Sequence, residues 1–458
     1  MTATTRPTLE SSPAFQPLHE RITEAMERLH VPGVVVGVIH DGAEHVAAFG
    51  VTNVDYPSPV VEDTLFQIGS TTKTLTATTV MRLVEEGKLD LDTPVRAYLP
   101  DLRLADEATA AGVTTRRLLT HTAGWSGDHF LDTGRGEDAL ASYVASLADL
   151  PQLTPLGQVW SYNNAAFSLA GRVIEAVTGQ PYETAVRELV LDPLGLAHTY
   201  FFPEEVMTHS FVVGHNVVDG VPKVATPWAL PRANNPAGGL TSSAGDQLRY
   251  ARFHMGDGTA ADGTRVLSRE SIRLMQTPSV QAADDESMGL AWFIRDSGGV
   301  RTVRHGGATY GQISTFMFAP AQDFALTVLT NANSGAELTE EVTKWALEHY
   351  LGLVEPMPTP LEWTEAQLAA YAGRYTAPMT VADLVMRDGS LVLQLSYSDY
   401  PADEPPPVPP PARVALYAED KMLVLDGPWK DLRSEFLRGP AGDITWLRLG
   451  GRIHKREA

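Results

Sequence analysis

Ser70 and Lys73 stand three residues apart in Phe66-Gln67-Ile68-Gly69-Ser70-Thr71-Thr72-Lys73-Thr74-Leu75, where the pattern turns helical. Three residues is close to one helical turn, so the lysine shares the serine's face and can accept its proton when the amine is neutral. A helix that starts at the serine also points its dipole and the serine N–H at negative charge developing on a carbonyl oxygen. The chemistry such a pair can do is attack by an activated hydroxyl on an acyl carbon. Taken alone, the spacing is also that of a capping serine followed by a solvated lysine.

Other chemistries find less support. Gly124-Trp125-Ser126-Gly127-Asp128 has the wrong spacing for the nucleophile elbow of lipase-type hydrolases. There is no His-Glu-x-x-His pair, and His209 and His215 are six residues apart, which does not place them on one helical face. They read as loop or core histidines, and no metal is expected. No Walker-type or dinucleotide-binding glycine pattern occurs, so no cofactor is expected. The chain has no cysteine, which removes disulfides, thiol nucleophiles and thiolate metal sites.

The elements that must position Ser70 and Lys73 follow from hydrophobic periodicity. Phe15, Leu18, Ile22, Met26 and Leu29 recur at helical steps before Pro32, predicting an amphipathic helix. Residues 33–39 and 44–49 flank Asp41-Gly42 and predict a hairpin. A helix is expected over residues 71–86, ended by Gly87, with further helices through the middle of the chain. Residues 301–305, 312–318 and 324–330 read as antiparallel strands and 340–351 as a closing helix, so one sheet is assembled from both ends of the first unit.

Composition turns proline-rich at Glu355-Pro356-Met357-Pro358-Thr359-Pro360, which marks a linker. The expected organisation is a first domain over residues 13–354, a linker over 355–362 and a small β domain over 363–458. Strand candidates in the last are residues 384–386, 391–395, 422–425 and 444–449, with Pro405 to Pro411 read as a stiff connecting loop.

Two further segments join the serine and lysine: Trp160-Ser161-Tyr162-Asn163-Asn164-Ala165-Ala166-Phe167 and Val303-Arg304-His305-Gly306-Gly307-Ala308-Thr309-Tyr310-Gly311. Ser-x-x-Lys, then Tyr-x-Asn, then a Lys/His-x-Gly strand is an order that resembles class C β-lactamases, D-alanyl carboxypeptidases, D-aminopeptidases and their related esterases. The resemblance spans most of residues 13–353 and includes Leu118-Leu119-Thr120-His121-Thr122-Ala123-Gly124-Trp125 and Pro236-Ala237-Gly238-Gly239-Leu240-Thr241-Ser242-Ser243. It implies an α/β (α+β) transpeptidase-like domain, with an antiparallel sheet and a helical lobe holding the site between them. It further implies that Ser70 forms an acyl-enzyme while Lys73 and Tyr162 handle its proton. Asn164 would then bond Lys73 and the substrate, and the Ala308 N–H, beside Gly307, would be the second oxyanion donor. A lysine ammonium near Tyr162 would favour phenolate, whereas a neighbouring cation or desolvation would favour neutral lysine, so the two would titrate as a coupled pair. His121 is read as buttressing the cleft.

Where the lactamases carry lysine on that strand, this chain has His305, neutral near pH 7 unless perturbed. The permanent cationic hook for a substrate carboxylate is gone, which favours ester or amide substrates, D-amino-acid peptides included, over β-lactams. A histidine simply packed at a strand end is the alternative. The C-terminal β domain more loosely resembles the lipocalin-like barrel of some D-amino-acid peptidases, including Thr445-Trp446-Leu447-Arg448-Leu449-Gly450-Gly451-Arg452. It could roof the cleft, restrict substrate size or build a homo-oligomer interface.

The whole chain sets bounds on partners and location. Its 458 residues, 43% apolar, can bury a large core, and a formal charge of −21 repels nucleic acid and anionic membrane surfaces. Residues 1–12 hold no signal-like apolar run and no stretch suits a membrane span, so a cytoplasmic address is expected. The reading is a serine hydrolase of small ester, amide or peptide substrates. Rival readings are a β-lactamase or D-alanyl carboxypeptidase and, from another class, a scaffold protein on the same fold.

Overall fold

The computed structural model of the protein describes residues 15–354, 356–398 and 408–457. Positions 1–12, Glu355 of the expected linker and Pro405, Pro406 and Pro407 of the proline run lie outside them. Helix α1 (Gln16–Leu29) buries Leu18 and Ile22, with Phe15 buried just ahead of it. Met26 and Leu29 pack at the margin of the same cluster, so the predicted stripe is the face that meets the sheet. Strands β1 (Gly33–His40) and β2 (Ala43–Gly50) form the predicted hairpin around Asp41-Gly42.

Six later strands complete this sheet: β3 (Val280–Ala283), β4 (Glu286–Met288), β5 (Phe293–Ser297), β6 (Val300–Thr309), β7 (Gln312–Ala319) and β8 (Phe324–Thr330). Their order is β2-β1-β8-β7-β6-β5-β4-β3, and all the pairings are antiparallel. Strand β1 pairs with β8, Val34 opposite Thr330, so the sheet is joined from both ends of the unit as expected. Both faces of β1 are covered. Val34, Val36 and Val38 pack with α1 and with α5 (Gly335–Leu351), whereas Val35 and Ile39 pack with Leu248 of α4 (Ala244–Met255) and the helical lobe. Helix α5 begins five residues before the predicted start, because Leu338 extends its buried face upstream.

Helix α2 (Thr72–Glu85) follows a single 3₁₀ turn, Gly69–Thr71, that holds Ser70. Nearly every α2 side chain as far as Leu83 is buried, including Thr72, Thr74, Thr76, Thr78 and Thr79. β-Branched threonines are indifferent helix formers, and tertiary hydrogen bonds make them useful here. Thr76 Oγ1 donates to the Pro236 carbonyl at 2.7 Å and lies 2.8 Å from the Tyr182 hydroxyl. The Thr78 hydroxyl is 2.8 Å from that of Tyr250, and Thr72 Oγ1 accepts the Leu240 N–H at 3.2 Å. The helix under the nucleophile is therefore clamped on several sides.

The C-terminal part is a closed eight-stranded barrel: β9 (Gly373–Ala377), β10 (Thr380–Arg387), β11 (Ser390–Tyr397), β12 (Ala412–Ala418), β13 (Lys421–Val424), β14 (Arg433–Arg438), β15 (Ile444–Leu449) and β16 (Arg452–Arg456). Tyr375 and Thr376 of β9 pair with Arg456 and Lys455 of β16 to close it. The Gly450-Gly451 turn between β15 and β16 rests on the lobe. Its φ values of 56° and 77° suit glycine, and a Cβ on Gly451 would stand 3.3 Å from the Trp160 ring. Gly451 O accepts the Tyr162 N–H at 2.9 Å, the Ser161 hydroxyl accepts the Ile453 N–H at 3.2 Å, and Arg448 donates to the Ala282 carbonyl at 2.8 Å.

Thr76→Val would keep the shape of α2 but leave the Pro236 carbonyl and the Tyr182 hydroxyl short of a buried partner, and is expected to cost about 1–3 kcal/mol in urea unfolding. Thr79 Oγ1 bonds only the Leu75 carbonyl of its own helix, so Thr79→Val is expected to cost clearly less in the same measurement.

Candidate active site

Lys73 is fully buried, at 0% exposure, and its Nζ lies 3.0 Å from Ser70 Oγ. The same nitrogen donates to the Ala237 carbonyl at 2.6 Å, which fixes the amine beneath the serine. Burial is the main reason its pKa falls well below the ordinary lysine value, and the Arg452 cation lowers it further. Both effects make the amine easier to deprotonate, which is the direction the one-turn spacing requires of a proton acceptor.

Tyr162 enters from the segment before α3 (Asn164–Thr178). Its phenol is influenced by the Ser70 side chain, and Lys73 Nζ lies 4.9 Å from the ring centroid. Burial raises the phenol's pKa far above its usual value, so the tyrosine rests neutral rather than as the phenolate that a lysine ammonium would favour. With the lysine disposed to lose its proton and the phenol to keep it, the pair is set as base and acid. His121 stacks on Tyr162 at 4.4 Å and accepts the Asn163 N–H on Nδ1 at 2.9 Å, the buttress expected of it.

A charge relay unread in the sequence runs behind this group. The Asn164 amide donates to Asp128 at 2.7 Å, where a bond to Lys73 was expected. Asp128 in turn receives Arg452 Nε at 3.0 Å, and the guanidinium stands 4.7 Å over the Tyr162 ring. Burial opposes charge on Asp128, but Arg452 and Asn164 outweigh it and hold the carboxyl below its ordinary range. Arg452 opens the last barrel strand, β16, so the barrel contributes a cation to the site.

Strand β6 crosses beside the serine. A Cβ on Gly307 would fall 1.9 Å from the Ile68 carbonyl and 2.7 Å from the Ser70 nitrogen, and one on Gly69 would fall 2.7 Å from the Ala308 nitrogen. Only glycine allows this approach, which sets the backbone nitrogens of Ser70 and Ala308 on neighbouring strands of chain, the arrangement an oxyanion hole needs. His305 is buried in β6, and burial is the main reason its pKa falls to about 3, so it is neutral. A cavity of about 680 Å³ opens over Ser70, lined by Tyr162, Asn164, His305, Gly307 and Ala308 and roofed by barrel residues including Arg448.

The structure therefore brings together Ser70, Lys73, Tyr162, Asn164, His305, Gly307 and Ala308, the residues the sequence assigned to the site, with Asp128 and Arg452 beside them. His215 is a core histidine, bonded to the Asn331 carbonyl at 2.7 Å and to the Val54 N–H at 3.2 Å, while His209 stacks on Tyr200. Among the described residues no group of side chains could hold a metal ion, and no helix is long and apolar enough to cross a membrane.

The chain matches the family described as Beta-lactamase over residues 18–350 and belongs to it. It is a serine hydrolase of the kind that unites β-lactamases and penicillin-binding proteins. It is 37% identical over 365 residues to "Penicillin-binding protein 4" of Amycolatopsis lactamdurans, which covers 78% of this chain and 96% of that protein. The crystal structure of SurE superposes with a TM-score of 0.78 at 27% identity, covering 97% of this chain and 99% of the other. SurE has also been solved with D-Leu. The octameric penicillin-binding protein homologue from Pyrococcus abyssi is similar in fold, barrel included, with a TM-score of 0.65 at 24% identity over 96% of this chain and 99% of its own.

A Lys73 that must lose its proton and a Tyr162 that keeps its own require kcat/KM to rise with pH through the lowered lysine pKa and to show no fall below about pH 10. Arg452→Ala removes a cation that opposes lysine protonation and frees the Asp128 carboxylate that favours it. The rising limb is expected to move to higher pH, with activity below the limb falling about tenfold per unit of displacement.

Proposed function

We propose that the protein hydrolyses small ester or amide substrates, D-amino-acid-containing ones among them, through an acyl-enzyme on Ser70. The observation that carries this reading is the buried Lys73 amine 3.0 Å from Ser70 Oγ. Ser70 attacks the carbonyl carbon and its proton passes to Lys73. The carbonyl oxygen becomes an oxyanion received by the N–H groups of Ser70 and Ala308. Tyr162 protonates the departing oxygen or nitrogen and is recharged from Lys73, and water admitted to the vacated half of the cleft releases the acid by the reverse proton path. Asn164 faces the substrate from the wall of the cavity. The D-configured part of the proposal is supported by the neighbour solved with D-Leu.

Neutral His305 argues against efficient turnover of penicillins, whose carboxylate would meet no cation at that position. The direct test reacts the protein and its Ser70→Ala variant with a short-chain p-nitrophenyl ester, quenches early and maps the adduct by mass spectrometry. An acyl group on Ser70, and turnover reduced by about a thousandfold or more in the variant, is expected. Equal residual rates in the two proteins, without an adduct, would defeat the reading.

A further inference from the structure

A second cavity, of about 280 Å³, adjoins the one over Ser70. Phe130, Tyr162, Gly450 and Arg452 line both, so the two meet at the phenol. The barrel interior is filled by its own side chains, Tyr375, Leu384, Leu393 and Leu447 among them, and the cavity lies at the barrel's mouth, between it and the lobe. Met379, Leu395, Trp429, Leu449 and Ile453 give it apolar walls. Arg452, Thr380 and Ser161 are turned to protein partners: Arg452 Nε donates to Asp128 at 3.0 Å, the Thr380 hydroxyl stands 2.9 Å from His454 Nε2, and the Ser161 hydroxyl accepts the Ile453 N–H at 3.2 Å. A guest there meets mainly apolar surface. Met379 is an independent sign of use. Pro378 and Met379 form the two-residue turn between β9 and β10, Ala377 being paired with Thr380, and Met379 has a φ of 69°. After proline in a tight turn that conformation suits glycine or asparagine, and a methionine held in it is strained. Such strain is kept where the side chain has a task.

We propose that this cavity at the barrel mouth receives the departing half of the substrate, and that the enzyme selects leaving groups carrying an uncharged apolar side group of branched-alkyl or aromatic size. This rests on the acyl-enzyme reading above. Tyr162 protonates the departing atom in that reading, so the space reached past Tyr162 belongs to the departing half. The volume falls short of the roughly 300–1,000 Å³ of a site for a whole drug-sized ligand and suits a single side group. Each methylene fully covered against Met379, Leu395 and Trp429 is worth about fourfold in kcat/KM. The barrel therefore supplies a specificity pocket as well as the Arg452 cation.

The methyl, isobutyl and 2-phenylethyl esters of N-acetyl-D-alanine test this, because they share one acyl group and release alcohols of similar acidity. For the wild-type enzyme, kcat/KM followed by chromatography of the released acid is expected to rise about tenfold from methyl to isobutyl and about a hundredfold from methyl to 2-phenylethyl. Leu395→Trp fills the cavity and is expected to bring the 2-phenylethyl-to-methyl ratio near one. Met379→Gly removes a wall but suits the φ of 69°, and is expected to lower that ratio about tenfold with a melting temperature that stays level or rises, so lost selectivity is read apart from lost folding. Calorimetric binding of the three esters to Ser70→Ala should follow the wild-type order and reads the selection without turnover. A ratio near one in the wild type, or one that neither variant lowers, would overturn the proposal, and its loss in either folded variant supports it. Acylation of Ser70 by the p-nitrophenyl ester, run alongside, separates the two failures: its absence counts against the hydrolase reading, and its presence with a flat ester series counts against the barrel-mouth pocket alone.

Discussion

Removal of water from around the Lys73 amine is the constraint on which the rest of the site depends. An ammonium in bulk water holds its proton too firmly to relieve a serine hydroxyl, and burial reverses that preference. The cost of burying such a group is met by the Ala237 carbonyl and the Ser70 hydroxyl, and these partners hold only if α2, the Pro236-Ala237 segment and the serine turn stay in register. The threonine clamps on α2 serve that end. They explain why a helix of middling propensity is used where a leucine-rich one would form more readily, since apolar side chains could not tie it to the Pro236 carbonyl or the hydroxyls of Tyr182 and Tyr250.

A second cation deepens the effect. Arg452 stands over the Tyr162 ring, where it opposes protonation of the lysine below, and Asp128 keeps the guanidinium itself from being an uncompensated charge. The same Asp128 orients the Asn164 amide. One ion pair thus links the polar wall of the cavity, the phenol and the base, and half of it belongs to a barrel that is not part of the matched family region, residues 18–350.

What the sequence made legible had local causes. The hairpin at Asp41-Gly42, the long strands of the sheet and the one-turn relation of Ser70 to Lys73 are set by neighbours in the chain, and periodicity reports them. Strands β3 to β5 were not anticipated, because they are short and their alternation is broken by Gln281, Glu286 and Arg295. Half of the barrel escaped for a similar reason: β14 offers only Phe436 and Leu437, and β16 only Ile453, among polar and charged residues. Asp128 and Arg452 meet across 324 residues of sequence, and a lone Asp or Arg is more often a solvated surface charge, so nothing nearby marked them. The protonation states of Tyr162 and His305 depend on burial, which no motif encodes; burial favours the neutral form of both.

The hydrogen bond from the Tyr162 N–H to Gly451 O, with the Arg452 pair beside it, also bears on how the protein is made. As the chain leaves the ribosome, Ser70, Lys73 and Tyr162 emerge early and can assemble into a folded first domain while the barrel is still being synthesised. Any chain interrupted before Arg452 carries the nucleophile and its proton partners without the cation that tunes them. Translation thus withholds a fully tuned nucleophile from products that stop short of the last barrel strand, and activity becomes a report on the integrity of the chain through Arg452.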